Sequence, residues 1–139
     1  LQDYRDEEAA VRLLMYYDGK DHSKSALQTV IDRAKALKAK VHVLSSVSSW
    51  GEPSVKTIHD IRNGLYYVRD VLNKDNIPCY THLRIRLCNP GEDIVDIANK
   101  YNIDEIIIGT SKESKVAKYR HGWFINHVLD WAKCPVLLV

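Results

Sequence analysis

The chain has 139 residues, of which 45% are hydrophobic and 27% are charged, and its formal net charge is +2. This length corresponds to one domain with a single core, and the composition is that of a soluble globular protein. The small net charge and the lack of a long apolar run predict no nucleic-acid partner and no membrane contact for this domain. Three scattered cysteines favour a reducing compartment, so we expect a cytoplasmic location.

The first half of the chain predicts a strand, a helix and a second strand after a polar lead-in at residues 1–10. Residues 11–17 are almost entirely apolar, which is typical of a strand covered on both faces. Candidate caps at 21–23 precede an apolar stripe over 26–37 with helical spacing, and 41–46 form the next strand. Two strands joined in this way are parallel in nearly all proteins.

The second half repeats this alternation. Ser54 is positioned to cap a helix, and the strand after that helix alternates polar with apolar residues, which is typical of an edge strand. A turn over 89–91 opens the third helix, and a buried strand, a loop, a last helix and an apolar strand follow. The predicted ranges are 55–72 (helix), 80–87 (edge strand), 92–101 (helix), 106–108 (strand), 122–132 (helix) and 136–139 (strand). Five strands alternating with four helices indicate one α/β domain with a doubly wound parallel sheet.

Two glycines bound a basic loop after the fourth strand. Gly109 ends the strand and Gly122 opens the last helix, so the loop lies where ligands bind in open parallel sheets. Glycines there let backbone approach an anion, although they equally serve tight turns. Five potential cations in the loop could attract a small anionic ligand, and the alternative is a solvated surface loop. They are Lys112, Lys115, Lys118, Arg120 and His121.

These glycines carry a family resemblance. Universal stress proteins that bind nucleotides show a glycine, two residues, a second glycine, nine residues, a third glycine and then Ser or Thr. Gly109 and Gly122 match the first and third glycines, whereas Lys112 and Trp123 stand where the second glycine and the hydroxyl residue belong. The segments LLMYYDGKDHSKSAL and NPGEDIVDIANKYNIDEIIIGT also resemble the family in order, so the likeness runs over residues 11–139.

The resemblance implies strand order 3-2-1-4-5, the adenine nucleotide alpha hydrolase-like fold, and a crevice for ATP or another adenine nucleotide. Asp18 would contact the sugar or base, although Asp18 and Gly19 equally suit a simple turn. Ser46 would lie against the base by alignment. Magnesium is expected only with the nucleotide. The implied lining residues are Asp18, Ser46, Gly109, Thr110, Ser111, Lys112, Gly122 and Trp123.

The sequence therefore predicts a non-enzymatic stress-response or regulatory module with a degenerate nucleotide crevice. Neither the histidines nor the cysteines have metal-ligand or catalytic spacing, so we expect no metal and no catalytic residue. The alternative is an interaction module with a closed crevice, for example the soluble regulatory domain of a larger transporter. The apolar edge at Val136–Val139 and the resemblance together predict a homodimer formed through this last strand.

Overall fold

The structure, a computed structural model, describes residues 10–47, 53–85, 89–110 and 123–139, with the side chain of Trp123 excepted. Within these residues, strands and helices alternate along the chain. None of these helices is long and apolar enough to cross a membrane. The elements are β1 (Arg12–Tyr16), α1 (Asp21–Leu37), β2 (Lys40–Val47), α2 (Val55–Lys74), β3 (Cys79–Ile85), α3 (Pro90–Lys100), β4 (Glu105–Ile108), α4 (Trp123–Trp131) and β5 (Val136–Leu138).

The strands form one five-stranded sheet in the order β3-β2-β1-β4-β5, and every neighbouring pair is parallel. This confirms the predicted doubly wound fold and its strand order. β1 is the central strand, and its Met15 is in register with Val43 of β2 and with Ile107 of β4. The order reverses on either side of β1, so the ends of β1 and β4 form the switch point of the sheet.

The apolar run of β1 supplies both hydrophobic cores. Leu13 and Met15 are fully buried on the face covered by α1 and α2. Leu14 and Tyr16 point to the opposite face, which α3 and α4 cover. Because successive side chains of a strand point to opposite faces, a strand covered on both sides must be apolar throughout.

Side-chain caps set the starts of α2 and α3. The Ser54 hydroxyl accepts a hydrogen bond from the Thr57 backbone N–H at 3.0 Å, which confirms the predicted cap. Asn89 caps α3 by accepting from the Gly91 N–H at 2.8 Å. This helix begins at Pro90, earlier than predicted, because proline is well suited to the first turn of a helix.

The predicted caps of α1 at residues 21–23 are wrong. Lys20 occupies the N-cap position without a side-chain bond, and the helix has already begun at Asp21. The Asp18 carboxylate instead fixes the turn before the helix, because it accepts from the Lys20 N–H at 2.9 Å and from the Ser23 hydroxyl at 2.7 Å, while the Ser23 N–H donates to the Lys20 carbonyl at 3.0 Å. Asp18 therefore has a structural function in addition to any role in binding.

β3 is an edge strand, as predicted, and its polar face is partly buried through contacts with neighbouring elements. His82 forms a hydrogen bond with His42 of β2 at 2.9 Å. Arg84 forms an ion pair with Asp96 of α3 at 3.0 Å. Polar side chains on this strand thus join it to its neighbours, which a pattern of alternating residues cannot reveal.

Candidate functional site

A cavity of about 250 Å³ lies at the carboxyl ends of β1 and β2, beside α2. This is the end of an open parallel sheet where ligands bind. Its size suits a small planar group more than a whole drug-sized ligand. Two of the residues predicted from the sequence, Asp18 and Ser46, lie in its wall. The described lining consists of Tyr17, Asp18, Gly19, Ser45, Ser46, Asp60, Ile61 and Gly64.

Asp18 is held in a fixed position. Its Oδ1 accepts from Ser23 and Lys20, and its Oδ2 lies 3.1 Å from Nε2 of His22. Burial alone would raise the pKa of this carboxyl, but the hydrogen bonds from Ser23 and Lys20, together with His22, lower its pKa below the ordinary value. Asp18 is therefore an ionised acceptor at neutral pH. A carboxylate offers about four lone-pair sites, so one remains for a ligand.

The turn after Asp18 requires its glycine. Gly19 has a φ of +79°, a conformation that residues with a Cβ rarely adopt. The Asp-Gly turn considered from the sequence is thus present, and the same two residues line the cavity. The turn brings the Asp18 side chain, which is 22% exposed, back to the start of α1.

Ser46 lies in the cavity wall, and its hydroxyl proton is already engaged. Its Oγ donates to Oδ2 of Asp93 at 2.6 Å. Asp93 is 1% exposed and belongs to the first turn of α3, where the helix dipole favours a negative charge. Ser46 can therefore offer a ligand only the lone pairs of its oxygen. Its contact with an adenine base stays a prediction.

Gly109 lies where helix α1 crosses the end of β4. A Cβ at this position would stand 2.3 Å from the carbonyl oxygen of His22 and 3.1 Å from Cβ of Ala26. No real side chain tolerates such a contact with backbone, so this glycine allows the helix to pack directly on the strand end. The sequence had suggested phosphate approach or a tight turn as its function, and close helix packing is a third.

Thr110 is hydrogen-bonded to Val139, the residue that follows β5. Its backbone N–H donates to the carbonyl oxygen of Val139 at 2.7 Å, and its hydroxyl donates to the same oxygen at 3.1 Å. Thr110 is 8% exposed. Both of its protons are thus engaged within the sheet. Its predicted contact with phosphate stays a prediction.

The remaining predicted residues lie outside what the structure describes. These are Ser111, Lys112 and Gly122, and the rest of the basic loop over 111–122 lies outside as well. Trp123 is the first residue of α4, but its side chain is not among the described ones. The effect of Lys112 and Trp123 on a ligand therefore stays at the level of the sequence.

Six lining residues were not assigned to the site from the sequence: Tyr17, Gly19, Ser45, Asp60, Ile61 and Gly64. Asp60 and Gly64 are four residues apart on α2, so they lie on one face of this helix. A Cβ on Gly64 would stand 3.4 Å from Cε1 of Tyr17, which means that the Tyr17 ring packs beside this glycine. A glycine inside a strongly amphipathic helix was the only sequence signal, and it indicated packing rather than a cavity.

A cluster of rings lies apart from this cavity, on the face of the sheet beside α3. His42 and His82 are stacked with an interplanar angle of 6°, and Tyr80 and Tyr101 contact them. Burial lowers the pKa of His42 to about 4, with smaller contributions from nearby positive charges, and burial likewise lowers the pKa of His82. Among the described residues no group of three metal-binding side chains occurs. The pair is a neutral hydrogen bond in the core.

The order of the sheet, the alternation of strands with helices and the cavity at the strand ends define a doubly wound α/β domain with its crevice beside the switch point. The sequence profile of the universal stress protein family matches residues 11–139. The chain therefore belongs to the universal stress protein family. No curated protein sequence gives a significant match.

Solved structures with the same fold include several universal stress proteins. One from Archaeoglobus fulgidus is 24% identical with a TM-score of 0.80, and the alignment covers 97% of each chain. Another structure of a universal stress protein from this organism, in complex with dAMP, is 23% identical with a TM-score of 0.75, covering 92% of this chain and 96% of the other. A family protein from Arabidopsis thaliana with AMP bound is 13% identical with a TM-score of 0.65, covering 93% and 90%. At these identities the likeness establishes the fold.

Proposed function

We propose that this protein is a non-enzymatic stress-response module that binds an adenine nucleotide in the crevice beside β1. The observation that carries the proposal is the cavity whose wall includes Asp18 and Ser46, at the ends of β1 and β2. Two solved relatives that share the fold hold dAMP and AMP. The lowered pKa of Asp18 supports a role as acceptor for a sugar hydroxyl or a base amine, because the carboxylate stays ionised.

The nucleotide would bind with its base and sugar in the cavity and its phosphates toward the loop over 111–122. That loop carries five potential cations, and these would attract phosphate where the second family glycine is replaced by Lys112. Magnesium would accompany ATP and have no site of its own. We propose no turnover, since no nucleophile paired with a general base was found in the sequence.

Calorimetric titration with AMP and with magnesium-ATP tests this function. We expect a dissociation constant in the micromolar range for the wild type and a loss of at least tenfold in Asp18→Ala, since one charge-assisted hydrogen bond is removed. Asp70→Ala is the matched control, because it removes the same charge from an exposed position of α2 outside the cavity wall. Absence of heat with both nucleotides, and absence of co-purified nucleotide, would refute the proposal.

The cysteines support a cytoplasmic location for this module. Among the described residues, Cys79 and Cys134 are free thiols. Burial raises the pKa of Cys79 to about 11, so this thiol is unreactive at neutral pH. A mass measurement on protein trapped with a thiol-blocking reagent in cells would reveal free cysteines if the proposal is correct.

We propose in addition that two copies pair through β5. β5 ends the described sheet, and each of its residues is only partly buried. Pro135 and Val139 make the ladder bonds to β4, so the alternating positions Val136 and Leu138 direct their backbone groups to the open edge. An open apolar edge of this kind favours a twofold, self-complementary contact.

Leu138→Pro tests this pairing, because it removes an outward N–H without removing a bond to β4. We expect a dimer for the wild type and a monomer for the variant by light scattering after gel filtration. Circular dichroism should show that the fold is retained. Leu137→Pro is the contrasting variant, since its position bonds toward β4 and should unfold the strand. A monomeric wild type would refute the proposal.

A further inference from the structure

His42 of β2 and His82 of β3 form a hydrogen-bonded pair, the histidine pair. Nδ1 of His42 lies 2.9 Å from Nε2 of His82, and the two rings are nearly parallel, with an interplanar angle of 6°. His42 is 5% exposed. Two facing imidazole nitrogens form a hydrogen bond only while one of them carries a proton and the other does not. The ring that accepts must therefore be neutral, and a pair with two charged rings loses this bond.

The charges that act on the histidine pair, among the described residues, are positive. Burial lowers the pKa of His42 to about 4, and the facing imidazole, Arg12 of β1 and Lys40 of β2 contribute to this shift. Burial and Lys100 of α3 lower the pKa of His82. A proton added to the folded pair is therefore both poorly solvated and repelled by its neighbours.

An ion pair on the same face of the sheet also joins β3 to α3. Arg84 follows His82 by two residues, so both side chains point to this face. Arg84 contacts the Asp96 carboxylate at 3.0 Å, and the Asp96 side chain is 57% exposed. The charge of Asp96 is thus opposed by a guanidinium and screened by water. An exposed ion pair of this kind contributes little to holding a strand in place.

β3 covers His42, and β3 is held less firmly than the central strands. Tyr80 of β3 is in register with His42, and the centroids of their stacked rings lie 5.0 Å apart. Displacement of β3 would remove Tyr80 and His82, and Tyr101 would be the one ring left against His42 among the described residues. β3 is an edge strand and none of its residues is fully buried. Segments with few buried contacts open before the rest of a fold does.

We propose that the histidine pair is an acid-sensitive switch, which holds β3 on the sheet at neutral pH and releases it in mildly acid solution while the rest of the sheet stays folded. The folded pair stays neutral, whereas imidazoles exposed by the release of β3 titrate with an ordinary pKa of about 6.5. The released form therefore binds more protons than the closed form, and its population rises as the pH falls below about 6.5. The switch needs no bound nucleotide.

Amide hydrogen–deuterium exchange of the whole chain, followed by mass spectrometry at pH 7 and at pH 5, tests the switch. We correct the rates for the intrinsic pH dependence of exchange. We then expect the peptide that covers β3 to exchange at least about tenfold faster at pH 5, because the lowered pKa of His42 favours the released form by about this factor. The peptides that cover β1 and β4 should keep their protection at both pH values.

The double variant His42→Asn, His82→Gln separates titration from hydrogen bonding. The two amides place a donor and an acceptor near the original Nδ1 and Nε2 atoms, and neither amide titrates. Exchange of β3 in this variant should therefore be nearly the same at the two pH values after correction. His59→Gln is the matched control, because it removes an imidazole from an exposed position of α2, and its β3 should respond to pH as in the wild type.

Three results would overturn the inference. One is equal exchange of β3 at pH 7 and pH 5 in the wild type. Another is a simultaneous loss of protection in β1, β3 and β4, since the response to acid would then be unfolding of the whole domain. The third is an acceleration in the double variant equal to that of the wild type. The first two results come from the wild type alone, so they decide the matter even where the double variant fails to fold.

Discussion

The two ends of the predicted crevice use their key residues in different ways. At the end of β1, Asp18 is anchored by its own turn and helix, yet its side chain lines a cavity and is 22% exposed. At the end of β4, the backbone of α1 occupies the space that a side chain at Gly109 would need. The N–H and the hydroxyl of Thr110 both donate to the Val139 carbonyl. A glycine or a hydroxyl at a strand end can thus be explained by packing before any ligand is considered.

The largest effect is expected for Gly109→Ala. Its Cβ would meet the His22 carbonyl at 2.3 Å, so α1 must move away from the strand end. We expect a loss of about 3 kcal/mol in the free energy of unfolding, measured by urea denaturation, because backbone cannot yield as a flexible side chain does.

Gly64→Ala provides the matched control for this change. At Gly64 the new Cβ would make an ordinary contact of 3.4 Å with the Tyr17 ring, and the position lies inside α2. Alanine favours a helix over glycine by about 1 kcal/mol, so stability should be unchanged or slightly higher. An equal loss of unfolding free energy in Gly109→Ala and Gly64→Ala would contradict the conclusion that close backbone packing requires glycine only at position 109.

The ring cluster beside α3 can be tested apart from the two ends of the crevice, because His42 makes the stability of the fold depend on pH. The folded-state pKa of His42 is about 4 against an ordinary 6.5, so between these values the unfolded chain binds more protons than the folded chain. Stability is therefore greatest above pH 6.5 and is lost as the pH falls toward 4. This shift in the pKa of His42 contributes about 3 kcal/mol at most to the free energy of unfolding.

The measurement is a series of urea denaturations between pH 7 and 4. The double variant His42→Phe, His82→Phe should lose most of this dependence, since Asp18 with its lowered pKa titrates below this range. A wild type with constant stability across the range would show that the two imidazoles are solvated and not buried as the structure has them.

The smallest effect is expected for Thr110→Val. The hydroxyl shares its acceptor with the Thr110 N–H, so the Val139 carbonyl keeps one hydrogen bond when the hydroxyl is removed. We expect a loss of about 1 kcal/mol in unfolding free energy. AMP affinity should change less than twofold, whereas Asp18→Ala should abolish most of it. A large loss of affinity in Thr110→Val would support the phosphate contact predicted for Thr110 from the sequence.

Much of the fold could be predicted because its signals are local. The apolar run of β1, the periodic stripe of α1 and the Ser54 cap each depend on a few neighbouring residues, and each was found where expected. The start of α1 could not be predicted, because its N-cap residue Lys20 makes no side-chain bond and the turn before the helix is held by Asp18. Local propensity cannot choose between several candidate caps of similar quality.

The sequence by itself determined the alternation of strands and helices, the family, and the presence of Asp18 and Ser46 near one another. The alternation follows from periodicity, whereas the family and the proximity of Asp18 and Ser46 follow from the resemblance carried by the glycine motif and the flanking segments. Only the tertiary structure decided which distant groups meet, as in the close approach of α1 to Gly109 and the pairing of His42 with His82. The physical reason is that such contacts join residues distant in the chain, and their geometry depends on how whole elements pack.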